Sequence, residues 1–183
     1  MFDEILVCLD GSPMAEKILP LAQQIALAKK ARVILLRVVG DSNELSVEEN
    51  YMRERARLFR APIRFVVSSD PATSILGELE KNSRAIAAMT THGRSAWGEA
   101  LLGRVALKVI RGAKRPVLLH RPLLDNAEAP AKIATIVAAL DGSKFSEKII
   151  PWAVDIAKAL GARLLLVQAL AQQGLLSGSE VKA

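Results

Sequence analysis

Residues 5–39 decide the fold, and they read ILVCLDGSPMAEKILPLAQQIALAKKARVILLRVV. Residues 136–170, which read IVAALDGSKFSEKIIPWAVDIAKALGARLLLVQAL, align with them without a gap at an offset of 131, with 16 identities in 35 positions. An offset of this size is the length of a domain and not the period of a solenoid. The sequence therefore predicts a tandem duplication.

The duplication sets the expected domain organisation. We expect a complete first domain over residues 1–122, a linker over 123–131, and an incomplete second domain over 132–183 that holds a β-α-β unit and a tail. A lone strand–helix–strand unit does not cover both faces of its sheet. The second domain is therefore not expected to be stable by itself.

The opening segment predicts two buried strands around a helix. The continuous apolar runs at 5–9 and 33–39 are typical of strands inside a parallel sheet. Between them, Ser12 is a good N-cap and Pro13 suits the first position of a helix. We expect this helix to continue to about residue 30 and to bend at Pro20, because proline removes a backbone hydrogen bond there.

The rest of the first copy continues the alternation. The pattern predicts helices over 44–60, 72–81 and 104–111, strands over 63–67, 84–90 and 116–120, and a glycine-containing loop over 91–103. Asp70 is expected to cap the third helix, and Gly112 the last one. The fold class is thus α/β: a parallel five-stranded sheet with helices on both faces, plus a partial β-α-β repeat. Ligands of such sheets bind at the carboxyl ends of the strands.

Composition narrows the classes of function. Hydrophobic residues make up 51% of the chain and charged residues 24%, which is typical of a globular protein. We find no apolar window long enough to span a membrane and no signal-peptide pattern at the N-terminus, so we expect no membrane partner and a cytoplasmic location. The single cysteine, Cys8, lies in an apolar run and is expected to be a buried, inert thiol.

Several kinds of site are missing from the sequence. The net charge is +6, but no basic stripe with interleaved aromatic residues and no zinc spacing is present, so nucleic acid is not the expected partner. Neither a P-loop nor a Rossmann glycine pattern occurs. The two histidines, His92 and His120, lie far apart in sequence and near no cysteine, which argues against a metal site or a Cys-His dyad.

The chain resembles the universal stress protein family. The resemblance covers residues 2–121 as a whole domain and 132–170 as a second beginning. It rests on an ordered set of motifs: Asp10-Gly11-Ser12, Leu36-Arg37-Val38-Val39, Ser69-Asp70-Pro71-Ala72, Thr91-His92-Gly93-Arg94-Ser95, Leu101-Leu102-Gly103-Arg104-Val105-Ala106 and Pro116-Val117-Leu118. A histidine commonly stands at the place of Arg37. The resemblance implies an adenine nucleotide alpha hydrolase-like fold.

The same resemblance implies a phosphate loop of the form Gly-x2-Gly-x9-Gly-Ser/Thr. In this register Thr90 takes the place of the first glycine, Gly93 and Gly103 stand at the second and third, and Arg104 replaces the Ser/Thr. Glycines let the backbone approach a phosphate closely, so Thr90 departs from the logic of the loop. Arg104 removes a small hydroxyl and adds a cation that binds phosphate well.

The implied ligand is an adenine nucleotide, ATP or AMP, with Mg²⁺ present only together with the nucleotide. By resemblance, Asp10 contacts the ribose and Val38 contacts the adenine through backbone groups. Taken alone, Asp10 is equally a turn-forming residue and Val38 an ordinary core residue.

Three functions follow as alternatives. The first is a stress-response regulatory protein that binds an adenine nucleotide through the variant loop. The second is an interaction module whose pocket has degenerated and in which Arg104 is merely solvated. The third, a weak ATPase, has no identifiable general base or metal ligand beyond Asp10. By the family's pattern the fifth strand lies at a sheet edge, so we expect homodimers formed through that edge.

Overall fold

The computed structural model describes residues 1–91, 102–121 and 132–168. The chain divides into two compact units, Met1–Lys132 and Ile133–Ala183, which are called here the first and second units. The linker expected over 123–131 falls wholly outside the described residues, as does most of the loop expected over 91–103.

The first unit contains five parallel strands. They are β1 (Glu4–Leu9), β2 (Arg32–Val39), β3 (Ile63–Val67), β4 (Ala85–Thr90) and β5 (Val117–His120). They form one sheet in the order β3-β2-β1-β4-β5, in which each neighbouring pair is parallel. From β1 the chain adds β2 and β3 on one side of the sheet and then β4 and β5 on the other. The ends of β1 and β4 therefore lie at the switch point where such sheets bind ligands.

Helices follow the strands and cover the sheet. They are α1 (Pro13–Glu16), α2 (Leu19–Lys29), α3 (Leu45–Phe59), α4 (Pro71–Lys81) and α5 (Arg104–Gly112), with a 3-10 turn at Ser42–Glu44. On one face α4 and α5 pack against Leu6, Ile34 and Leu36 in the main apolar core. Strand residues of the opposite parity, such as Ile5 and Leu35, are also buried, on the side of α2 and α3. The predicted fold class is confirmed.

The expected single bent helix after β1 is wrong, because the chain forms two helices. α1 ends at Glu16, and α2 begins anew at Leu19 with Pro20 at its second position. The first residues of a helix have no partner for their N–H groups, so a proline costs nothing there. Pro20 therefore starts a helix instead of bending one. The expected cap at Ser12 is confirmed, since its hydroxyl accepts from Ala15 N at 3.1 Å.

The expected role of Gly112 is also wrong. Gly112 is the last residue of α5, and Ala113 follows as the cap with an ordinary φ of −72°. A Cβ at Gly112 would lie 2.5 Å from Leu76 Cδ1 on α4. The glycine is therefore needed for the close approach of two helices and not for a left-handed turn.

The described part of the second unit repeats the opening strand–helix–strand segment of the first. It consists of β6 (Thr135–Leu140), a 3-10 turn (Ser146–Ile149), α6 (Ile150–Leu160) and β7 (Arg163–Gln168). At the offset of 131, β6 matches β1 and α6 matches α2 end for end, and the pairing of Thr135 with Arg163 reproduces that of Glu4 with Arg32. The aligned sequence thus encodes the same strand register twice.

Apolar side chains on one face of the second sheet are exposed among the described residues. Leu6 is fully buried in the first unit, whereas its counterpart Val137 is 58% exposed. Leu165 and Val167 on β7 are exposed as well, at the places of the buried Ile34 and Leu36. In the first unit α4 and α5 cover this face, and among the described residues of the second unit no helix takes their place.

Candidate functional site

Asp10 is held in a tight turn directly after the central strand. Its Oδ1 accepts hydrogen bonds from Ser12 N at 2.9 Å and from Ser12 Oγ at 2.6 Å. Gly11 between them has a φ of +82°, which is the left-handed region that favours glycine. Ser12 in turn caps α1, so the turn fixes the carboxylate at the carboxyl end of β1.

The second unit forms the same turn. Ser143 N donates to Asp141 Oδ1 at 2.9 Å, and Gly142 has the same φ of +82°. Hydrogen bonding from Ser143 and Ser146 lowers the pKa of Asp141 to about 2. The turn is therefore a local property of the repeated Asp-Gly-Ser sequence, because both units build it independently.

The opposite wall of the site comes from β4 and α5. Thr90 is the last residue of β4 and is buried, and Thr91 N donates to His120 O at 2.9 Å. Gly103 N donates to Thr91 O at 2.7 Å, which ties the start of α5 to the end of β4. Gly103 is the N-cap of α5 and has no side chain to cap it. The start of a helix is a position where backbone N–H groups can bind an anion.

These elements enclose a cavity of about 270 Å³ at the carboxyl ends of β1, β2 and β4. Five of the six predicted site residues line it: Asp10, Val38, Thr90, Gly103 and Arg104. The sixth, Gly93, lies outside the described residues. Residues up to 94 positions apart in sequence thus meet at one place, the switch point of the sheet.

The two departures from the glycine loop have different structural consequences. Thr90 sits in regular strand paired with His120, and a β-branched residue suits that backbone. Its side chain therefore costs no strain but narrows the space available to a ligand. Arg104 is the exposed first residue of α5, where no acidic residue of the first turn balances its charge. A cation at a helix N-terminus is unfavourable unless an anion binds there.

Apolar residues form the floor of the cavity. Leu36, Ile75 and Met89 line it, as does Cys8. Burial raises the pKa of the Cys8 thiol to about 12, and its Sγ donates to Leu6 O at 3.7 Å. Cys8 is half-buried and not fully buried as expected. The raised pKa is in keeping with the expected inert thiol, because only a thiolate is a good nucleophile.

An exposed ion pair links the start of α4 to α5. Asp70 caps α4 by accepting from Thr73 N at 3.2 Å, as predicted, and it also binds Lys108 Nζ on α5 at 2.6 Å. The Lys108 and Thr73 hydrogen bonds hold the pKa of Asp70 well below its usual range. Pro71, the next residue, lines the cavity. The pair thus joins the two helices that flank the site.

Sequence reasoning missed the structural role of Arg37. This residue is only 6% exposed, and its guanidinium forms two hydrogen bonds to the Glu48 carboxylate on α3, Nε to Oε2 at 3.0 Å and Nη2 to Oε1 at 2.8 Å. Its third nitrogen, Nη1, donates to Val38 O at 3.0 Å. A charged residue inside an apolar strand was the available signal, since a buried arginine requires a partner.

Within the described ranges, no group of three or more His, Cys, Asp or Glu side chains is placed to hold a metal ion. In the same part of the chain, no helix has the length and apolarity needed to cross a bilayer.

A comparison with protein-family models shows the family to which this fold belongs. The model of the universal stress protein family matches residues 1–61 and 43–121, two overlapping segments that together span most of the first unit. The chain belongs to the universal stress protein family. A comparison with curated proteins gives no match.

Solved structures share the fold. A universal stress protein in complex with cAMP is 23% identical, with a TM-score of 0.53, and the match covers 66% of this chain and 97% of that one. A hypothetical protein used as a test case of structural genomics is 28% identical, with a TM-score of 0.52, covering 68% of this chain and 99% of that one.

A third structure bears on the repeat. A putative universal stress protein from Pseudomonas aeruginosa UCBPP-PA14 is 21% identical with a TM-score of 0.68, and the match covers 91% of this chain but 61% of that one. The likeness therefore extends over both units, while this chain spans about three fifths of that protein's length.

Proposed function

We propose that the chain binds an adenine nucleotide, ATP or AMP, in the cavity at the ends of β1, β2 and β4. The observation that carries the proposal is the convergence of Asp10, Val38, Gly103 and Arg104 on one cavity at the switch point of the sheet. Its apolar floor suits a base, and its polar rim suits a sugar and phosphates.

Each residue has a distinct part in this proposal. Asp10 holds the ribose hydroxyls through its carboxylate, and the Val38 backbone contacts the adenine. The phosphates lie against the backbone of the loop, at Gly93 and Gly103, and against the uncapped start of α5. Arg104 stands in place of the Ser/Thr of the family loop and provides a positive charge for the phosphates. Mg²⁺ enters only with the nucleotide.

The family comparison supports the ligand class. One family member has been solved with cAMP, an adenine nucleotide, although at 23% identity that likeness establishes the fold alone. Family membership also supports a stress-response role for this chain. We propose a cytoplasmic location, in keeping with a lone cysteine that forms no internal disulfide.

A fluorescent ATP analogue tests the proposal, with matched variants in the two units. The expected result is saturable binding that ATP and AMP compete, that Gly103→Val abolishes and that Asp10→Ala weakens. Asp141→Ala is the control, because it removes the equivalent carboxylate from a turn of the same geometry in the second unit. Equal losses in Asp10→Ala and Asp141→Ala would contradict the assignment of the site.

A second candidate function is an interaction module without nucleotide binding. The narrowing of the cavity by Thr90 favours it. Absence of binding at millimolar nucleotide would leave this candidate in place, and phosphate release above background would instead indicate a weak ATPase.

Both candidates include self-association through β5. Within the described sheet β5 pairs only with β4, so its other edge has backbone groups available to a second copy. We propose a homodimer joined along this edge. Thr91 N donates to His120 O, so the alternate residue Leu119 directs its N–H away from β4. Leu119→Pro removes that N–H from the outer edge, and sedimentation velocity should then report a monomer where the unsubstituted chain is a dimer. A monomeric unsubstituted chain would contradict the proposal.

A further inference from the structure

We propose that Arg37, held by Glu48, is a positioning residue that makes the site selective for a 6-amino purine over a 6-oxo purine. This inference rests on the proposed function. It is based on the hydrogen bond from the buried Arg37 Nη1 to Val38 O, which joins two residues that both line the cavity. The proposed function places the base against Val38.

The strand directs Arg37 and Val38 to different surroundings. Leu36 and Val38 belong to the core on the face covered by α4 and α5, whereas Arg37 between them bonds to Glu48 on α3. All three guanidinium nitrogens therefore have acceptors, two on the Glu48 carboxylate and one on Val38 O. A guanidinium held by two parallel hydrogen bonds is fixed in orientation, which a lysine does not achieve.

The same stretch of chain holds the end of β2 a second time. Gly40 N donates to Glu44 Oε2 at 3.3 Å, and Glu44 lies one helical turn before Glu48. The two glutamates thus anchor the carboxyl end of β2 to the start of α3. The peptide unit that follows Val38 lies between these two anchors, so its carbonyl has a defined direction.

The selectivity follows from the number of acceptor positions on that carbonyl. A carbonyl oxygen accepts two hydrogen bonds, and Arg37 takes one of them. The remaining position accepts from a donor, such as the 6-amino group of adenine. The 6-oxo group of guanine is an acceptor, and it would face another acceptor with neither hydrogen bond made. A mobile carbonyl would turn away from this conflict, whereas the guanidinium prevents it from turning.

The test measures the affinities for adenosine and guanosine, which lack phosphates, in variants of the ion pair. Arg37→Met alone leaves the Glu48 carboxylate without its guanidinium, so Arg37→Met/Glu48→Leu is the variant that preserves folding by removing both charges. We expect the adenosine-over-guanosine affinity ratio to fall about tenfold, the equivalent of one hydrogen bond. The ratio of ATP to adenosine affinity should stay unchanged, because the phosphate side is not altered.

A matched ion pair elsewhere in the unit is the control. Arg64 Nη1 on β3 binds Glu78 Oε2 on α4 at 2.8 Å, and neither residue lines the cavity. Arg64→Met should leave the adenosine-over-guanosine ratio unchanged. A carbonyl ¹³C shift at Val38 that moves in Arg37→Met/Glu48→Leu and not in Arg64→Met would support the contact independently of any ligand.

The outcomes separate this inference from the proposal on which it rests. An unchanged ratio in Arg37→Met/Glu48→Leu, with nucleotide still bound, overturns the selectivity role alone. An equal fall of the ratio in Arg64→Met also overturns it, because the effect would then be general loosening of the sheet. If the unsubstituted chain binds no adenine compound at all, both this inference and the nucleotide proposal fail.

Discussion

Replacement of Arg104 by alanine should make the protein slightly more stable and a poorer nucleotide binder. Arg104 is the first residue of α5, and the first turn carries no acidic side chain and no side-chain cap. Its charge therefore opposes the positive end of the helix dipole. Removing a charge from that position is worth about 0.5 kcal/mol, which for a chain of this size raises the melting temperature by about 1–2 °C.

The expected loss of binding follows from the exposure of the same residue. A hydrogen bond between a guanidinium and a phosphate contributes about 1.5–3 kcal/mol, and an exposed arginine such as Arg104 belongs at the lower end of that range. About 1.5 kcal/mol corresponds to roughly a twelvefold weaker affinity for ATP. Adenosine has no phosphate, so its affinity should not change.

Thermal unfolding followed by circular dichroism, together with calorimetric titration of ATP and adenosine, measures both effects. Arg111→Ala is the matched control, because Arg111 lies in the last turn of the same helix, where a cation is favourable. That variant should melt at a slightly lower temperature and bind ATP normally. The reasoning is refuted if Arg104→Ala also melts lower, or if it binds ATP and adenosine as tightly as the unsubstituted chain.

Three further predictions concern Cys8, the counterparts Leu6 and Val137, and His120. Alkylation of Cys8 by iodoacetamide at pH 8 should be roughly a thousandfold slower in the folded protein than in urea, because burial raises the pKa of the thiol to about 12. An alkylation rate within tenfold of that in urea would contradict the raised pKa. In urea titrations Leu6→Ala should lower the free energy of unfolding by about 2–5 kcal/mol, because the Leu6 side chain is buried. Val137→Ala should lower it by less than about 0.5 kcal/mol, because Val137 is exposed. Equal losses in the two variants would contradict this reasoning. Burial, assisted by the charge of Lys17, lowers the pKa of His120, so the folded state resists protonation and loses stability as the pH falls through about 6.5 toward that lowered pKa. His120→Gln should therefore show a smaller drop in melting temperature between about pH 7.5 and pH 5.5, and an unchanged pH profile would disprove the account.

The strands were predictable because their signal is simple. The continuous apolar runs at β1 and β2 appear twice in the sequence, and the structure gives β1 and β6 the same length at the same offset. A buried parallel strand needs little more than such a run between turn residues. The place of the site could be predicted for the same reason, since topology brings the carboxyl ends of β1, β2 and β4 together, whereas its individual residues were named through the family resemblance.

Other features depend on contacts that a single segment does not carry. Whether Pro20 bends a helix or starts one depends on the break after Glu16, which the sequence does not mark. The role of Gly112 depends on Leu76, a residue 36 positions earlier on another helix. The role of Arg37 depends on its hydrogen bonds to Glu48, which lies on α3 and not on the strand. In each case packing, and not local preference, decides the outcome.

The Asp-Gly-Ser turn has a consequence for the thermodynamics of ligand capture. Both units build it with the same hydrogen bond and the same glycine conformation, so Asp10 is preorganised before anything binds. Because the Asp10 carboxylate is already ordered, ligand binding does not have to order it. The entropy cost of association is smaller by the conformational entropy of that side chain. The second unit forms the same turn at Asp141. The rigidity of the turn at Asp10 can therefore be compared with that of the Asp141 turn in the same chain.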